Sequence, residues 1–232
     1  MGVRRDLRHI DKRRIISMSN SSDPYPPMEA KLRLTRACLE LFVRERCRVL
    51  VITKSDLVAR DADLLVQIPA AVSMTITTLD RGLSRKLEPG APSPQRRLRA
   101  LKKLVSGGVP VAVRLDPIIP FLNEGEVEEV VEAAAACGIK HITSSTFKPR
   151  FDSWRRMQAV FPEATVRMAP LYFRKGERHK RSWYLPLKLR RELMARVRAA
   201  CDKHGLTFAS CREGMPELTT GATCDGSHLT MG

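Results

Sequence analysis

Residues 48–55 read RVLVITKS, a run of mostly β-branched, apolar residues followed at once by a lysine and a serine. A continuous apolar strand with no polar alternation is one buried on both faces, as strands of parallel sheets are. Working outward, the same unit recurs. Downstream, a helical pattern over 56–67 leads to a second apolar run, AVSMTITT at 71–78. A helix over 95–105 leads to VPVAVRL at 109–115, closed by Asp116-Pro117. An alanine-rich helix over 124–137, stopped by Gly138 in the usual cap position, leads to KHITS at 140–144. Upstream lie IISM at 15–18 and a helical pattern over 28–44. Strand starts near 15, 48, 71, 109 and 140 are spaced 33, 23, 38 and 31 residues apart. Each interval holds one strand and one crossover helix, so parallel strands follow. A full or partial barrel and an open doubly wound sheet both fit. No GxGxxG follows a strand and there is no GxxxxGK[ST], so neither nucleotide fingerprint supports the open sheet.

The pattern changes near residue 150. A short helix is expected over 152–161, then the basic aromatic stretch LYFRKGERHKRSWY, a long basic helix from Pro186 to about His204, a last strand at 206–210, and a turn-rich tail. The reading divides the chain into a basic leader at 1–14, a βα portion at 15–150 and a basic α-rich extension at 151–232. Net charge is +16, and residues 148–203 carry 16 Lys/Arg against 5 Asp/Glu. Such a surface attracts polyanions and makes nucleic acid a candidate partner, although only 12 residues are Phe, Trp or Tyr and no base-stacking platform is evident. No apolar run approaches the ~20 residues of a membrane span, the N-terminus has no signal-peptide core, and six scattered cysteines do not suggest a disulfide framework. A cytoplasmic protein is expected.

Polar residues gather where the apolar strands end: Ser19, Asn20, Ser21 and Asp23; Lys54 and Ser55; Thr75, Thr77 and Asp80; Arg114 and Asp116; Ser144, Ser145, Thr146 and Lys148. In a βα barrel these ends converge on one mouth, where sites are built. Hydroxyls, cations and carboxylates in one mouth suit a zwitterionic, sugar-bearing ligand. Taken singly, Ser and Thr at such positions also serve as helix caps.

The stretches SNSSDPYPPMEAKLRLTRACLE, VLVITKSDLVARDADLL, VSMTITTLDRGLSRKLEPGAPSPQRRLRALKKL and VPVAVRLDPIIPFLN resemble radical SAM proteins of the spore photoproduct lyase-like, or DNA-repair-photolyase-like, group. The resemblance covers about residues 15–150 and extends weakly into the CREG and CDGSHL tail. It implies a partial (β/α)6 TIM-like barrel lacking its first strand, with S-adenosylmethionine bound at the mouth. By motif position, Ser19, Asn20, Ser21 and Asp23 would meet the methionine amino group, with Lys54 and Ser55 nearby. Thr75 and Thr77 would face the ribose, Arg114 beside Asp116 the methionine carboxylate through a charge-assisted fork, and the backbone at Ile118 the adenine. Arg85 and Glu88 are further candidates for the mouth, or a loop ion pair.

The resemblance also implies a 4Fe–4S cluster held by CxxxCxxC on the loop after the first barrel strand, and an external electron donor. An electron from that cluster would cleave S-adenosylmethionine to a 5′-deoxyadenosyl radical. The sequence has no CxxxCxxC. The expectation is a longer parent protein that supplies it, through a misplaced start, a split gene or a truncation, so that these 232 residues alone do not cleave S-adenosylmethionine. The other expectation is a cluster-less basic βα protein that binds nucleic acid. Cys211 and Cys224 in the tail, near His204 and His228, are weak metal candidates.

Overall fold

The computed structural model describes residues 2–12, 14–18 and 22–231. In chain order the elements are α1 (Gly2–Asp6), β1 (Ile15–Met18), α2 (Glu29–Leu32), α3 (Leu34–Arg44), β2 (Arg48–Thr53), α4 (Ala62–Leu65), β3 (Ala70–Thr75), α5 (Arg81–Leu87), α6 (Pro94–Ser106), β4 (Val111–Ile118), α7 (Val127–Ala135) and β5 (His141–Thr146). There follow α8 (Phe151–Val160), α9 (Pro162–Phe173), β6 (Glu177–His179), β7 (Ser182–Tyr184), α10 (Leu187–Lys203) and β8 (Thr207–Ser210). The sheet order is β1-β2-β3-β4-β5-β8, parallel at every junction. Among the described residues the two outer strands do not pair, so the sheet is a partial, open barrel.

All five strands expected before residue 150 are present, and so is the last one. The helices differ in detail. The helix expected over 28–44 is two, because Arg33 takes a left-handed conformation at φ 50° and breaks it. The helix expected over 56–67 begins as a 3-10 turn, capped by Ser55, whose Oγ accepts from the Leu57 N–H. β4 does not close at Asp116-Pro117 but runs through that cis bond to Ile118, with an irregularity in its pairing to β5. The aromatic stretch forms the end of α9 and an antiparallel hairpin, β6–β7.

Alternate residues of each strand serve opposite faces. Val49 and Val51, Val72 and Met74, Val111 and Val113, Ile142, and Phe208 join one apolar core with Leu39, Leu101, Leu104, Val131 and Val197 of the covering helices. Leu50, Ala71, Ala112 and Ala209 are also fully buried, yet lie outside that core. They belong to the concave face, which the C-terminal tail fills. A Cβ added at Gly226 would stand 2.9 Å from the Ala112 Cβ, and one at Gly221 would stand 2.5 Å from the His141 ring. Thr143 Oγ1 donates to the Cys224 carbonyl at 2.9 Å, and Arg48 Nη2 donates to Thr230 Oγ1 at 3.0 Å. The tail thus crosses four strands and floors the mouth.

Candidate functional site

Register sorts the concave face into levels. Ser73, Ala112, His141 and Thr207 lie side by side, against Gly226 of the tail. One step toward the strand ends lie Thr75, Arg114, Thr143 and Ala209. The next step along the same face holds Thr77, Asp116, Ser145 and Cys211. In the upper two levels Arg114 and Asp116 are partly exposed, whereas Thr75, Thr77, Thr143, Ser145 and Ala209 are buried.

Arg114 is the centre of the mouth. Its Nη2 donates to Asp116 Oδ2 at 2.8 Å, and Asp116 Oδ1 accepts from Ser145 Oγ at 2.6 Å. Burial works against the guanidinium charge, but Asp116 outweighs it, so Arg114 holds its proton more tightly than a free arginine. The charge of Cys211 adds to that of Asp116 in the same direction. Beside this pair, Glu88 accepts from Thr77 Oγ1 at 2.7 Å and meets Arg97 Nη2 at 2.6 Å. Arg97 is fully buried and donates to the Thr75 carbonyl at 2.9 Å. Lys54 Nζ lies 3.8 Å from Glu88 Oε1 and is half exposed. Glu88 is therefore more than a loop ion pair: it joins Thr75, Thr77, Arg97 and Lys54 at the rim.

Thr75, Thr77, Lys54, Arg114 and Asp116 thus come together. Asp23 is nearby, but three protein donors use its carboxylate: Thr53 Oγ1 at 2.6 Å, the Lys54 N–H at 2.7 Å and the Tyr25 N–H at 2.9 Å. Ser55 is turned to its cap. The Ile118 side chain is in the core and its carbonyl accepts from the Phe147 N–H. Ser19, Asn20 and Ser21 lie outside the described residues. Arg85 is on α5, not in a loop.

Two features escaped the sequence reading. Glu213, fully buried, accepts from the Thr146 N–H and Oγ1 and pairs with Lys148 Nζ at 2.5 Å and Arg190 Nη1 at 3.3 Å. Burial lowers the Lys148 pKa despite this partner. A lone glutamate in a turn-rich tail gave no sign of this. The second is a groove of about 600 Å³ lined by Trp154, Phe173, Trp183, Phe151, Arg150, Arg178, Arg181 and one carboxylate, Asp152. Its aromatic rings stack edge to face, and Arg178 lies 5.7 Å over Trp183. The platform was invisible in composition because its members come from α8, α9 and the hairpin.

The described cysteines do not suit a three-thiolate cluster. Cys38, Cys47, Cys137 and Cys201 stand on separate elements, and burial raises their thiol pKa values, that of Cys201 to about 12. A three-cysteine cluster loop binds iron through its thiolates. Burial raises the Cys224 thiol pKa too, and the charge of Cys211 adds to it; among the described residues no group of three or more His, Cys, Asp or Glu is placed to hold a metal.

Parallel βα repetition, polar residues at the strand ends and a sheet left open define a partial α/β barrel with a polar edge. The chain belongs to the radical SAM superfamily: the model of the "Radical SAM superfamily" matches residues 3–134. It is 38% identical over 112 residues to an uncharacterised protein of Methanocaldococcus jannaschii, covering 48% of this chain and 43% of that protein. It is 23% identical over 238 residues to the radical SAM Nalpha-GlyT isomerase of Pseudomonas phage M6, covering 92% and 48%. Among solved structures it matches a substituted spore photoproduct lyase with bound AdoMet and dinucleoside spore photoproduct. The TM-score is 0.64 at 17% identity, covering 84% of this chain and 60% of that one. The chain spans about half the length of these curated relatives. The family works with S-adenosylmethionine and a 4Fe–4S cluster. Among the described residues, no helix is long and apolar enough to cross a membrane.

Proposed function

We propose that this chain carries the S-adenosylmethionine-binding mouth of a radical SAM enzyme acting on a nucleic-acid substrate. The observation that carries the reading is the buried Arg114–Asp116 pair between Thr75, Thr77 and Ser145, inside a chain of this family. Asp116 engages one Nη of Arg114, which leaves guanidinium donors for a carboxylate, while the Asp116 carboxylate suits an ammonium or a sulfonium. The hydroxyls suit a ribose. Cluster chemistry would need thiolates that the described residues do not bring together, so no radical step is assigned to them.

The nucleic-acid part rests on the charge of residues 148–203 and on the aromatic, arginine-lined groove beside the hairpin. A solved structure of spore photoproduct lyase that the chain matches in fold contains a dinucleoside spore photoproduct. Isothermal titration of the full chain with S-adenosylmethionine tests the reading. Binding is expected, weakened at least tenfold by Arg114→Ala; no heat of binding at millimolar ligand overturns it. The lack of a three-cysteine set favours a second reading, a cluster-less nucleic-acid-binding module. That reading predicts nucleic-acid binding without S-adenosylmethionine binding.

A further inference from the structure

We infer that Cys211 and Cys224 form a redox-active dithiol at the mouth, which takes a small disulfide as oxidant and closes into a bond tying the tail to the end of β8. The two are thirteen residues apart in sequence, but they hang from consecutive residues of one strand. The Cys211 N–H donates to the Ser144 carbonyl at 2.8 Å, and the Cys224 carbonyl accepts from Thr143 Oγ1 at 2.9 Å. Thr143 lies opposite Arg114. Both thiols therefore stand beside that guanidinium; burial raises the Cys224 thiol pKa, and the charges of Cys211 and Arg114 both act on it.

Both backbones are held. Just after Cys211, Glu213 is anchored by Thr146 and Lys148. Before Cys224, the Thr220 N–H donates to the Phe208 carbonyl at 2.8 Å, and Thr220 Oγ1 accepts from the Phe208 N–H. After it, Gly226 packs on Ala112. Cys224 is exposed and Cys211 half-buried, whereas Cys47, Cys137 and Cys201 are buried. An oxidant arriving at the mouth meets this pair first.

The exchange balances. The Cys224 thiolate attacks one sulfur of a small disulfide, breaking its S–S bond, forming a mixed disulfide and releasing one thiolate. The Cys211 thiolate then attacks Cys224 Sγ and releases the second. The protein dithiol loses two electrons, the small disulfide gains them, and the two protein protons end on the two released thiols. Closure fixes the segment that floors the mouth.

The test uses the full chain in buffers of graded reduced-to-oxidised glutathione ratio, followed by alkylation, digestion without reductant and mass spectrometry. The expected product is one peptide pair joined through Cys211 and Cys224, two hydrogens lighter than its parts, with the other four cysteines alkylated. In Cys211→Ser, glutathione should remain attached at Cys224. Circular dichroism verifies that the oxidised chain stays folded. Alkylation of both thiols across the whole range, or a joined pair that appears only in urea, overturns the proposal. This outcome is independent of S-adenosylmethionine binding.

Discussion

His141 shows how one buried ring sets a pH response. Its side chain is fully buried, with Nδ1 2.9 Å from Thr207 Oγ1 and its ring edge-on to His228 at 4.8 Å. Burial first, then the charge of His228 and Arg114 against that of Asp225, lowers its pKa to about 4. The unfolded chain takes up that proton near 6.5, so between these values the unfolded state binds more protons. Stability therefore rises with pH across this window and is lost as pH falls through it, by roughly 3 kcal/mol in full. Urea melts from pH 7.5 to 4.5 should show the loss, and His141→Asn should reduce it; equal slopes in the two proteins would refute the assignment. Glu213 tests the opposite case, a buried charge that is paired. Glu213→Gln keeps the shape but leaves Lys148 and Arg190, 7% and 6% exposed, without their buried counter-charge. A cost of about 3 kcal/mol or more is expected, measured by urea denaturation, and a change below about 1 kcal/mol would contradict it.

At the scale of elements, the tail behaves as part of the barrel. Gly226 and Gly90 have nearly equal backbone angles, φ 82° and 84°, so Gly→Ala imposes a similar conformational strain of about 1 kcal/mol at each. Only at Gly226 does the new Cβ meet another, at 2.9 Å. Gly226→Ala should therefore cost roughly 1–3 kcal/mol more than Gly90→Ala; equal costs in chemical denaturation would mean that the tail does not pack on the strands. The same contrast explains what was legible in the sequence. The strands were, because residues such as Val49–Val51 and Val111–Val113 are apolar without interruption when both faces are buried. Thr75, Thr77, Arg114 and Asp116 were, because strand ends share one edge. The break at Arg33 was not, since a left-handed arginine has no compositional mark. Nor were α9, with Pro170 inside it, or the path of the tail, whose hydrogen bonds join residues more than 80 apart. Asp23 was legible as a mouth residue but not as one already bonded to Thr53 and Lys54, because that depends on how the loop folds back.

For the whole molecule, the decisive property is where the positive charge stands relative to the aromatic rings. A net charge of +16 alone would attract any polyanion weakly. Here the hairpin bears Arg178, Lys180 and Arg181, and two of these line the same groove as Trp154, Phe173 and Trp183. Arginine beside aromatic rings is the combination that holds single strands, with phosphates neutralised and bases stacked. The two contributions separate in salt. Replacing Arg178, Lys180 and Arg181 together by alanine should weaken binding to single-stranded DNA and flatten the dependence of log K on log salt by about 2 in slope, at ~0.7 for each phosphate no longer neutralised. Trp183→Ala should instead weaken binding by roughly 1–3 kcal/mol while leaving the slope unchanged. Fluorescence anisotropy over a salt series measures both. If the triple replacement leaves the slope intact, the strand is held by the basic surface elsewhere, and the groove serves another ligand.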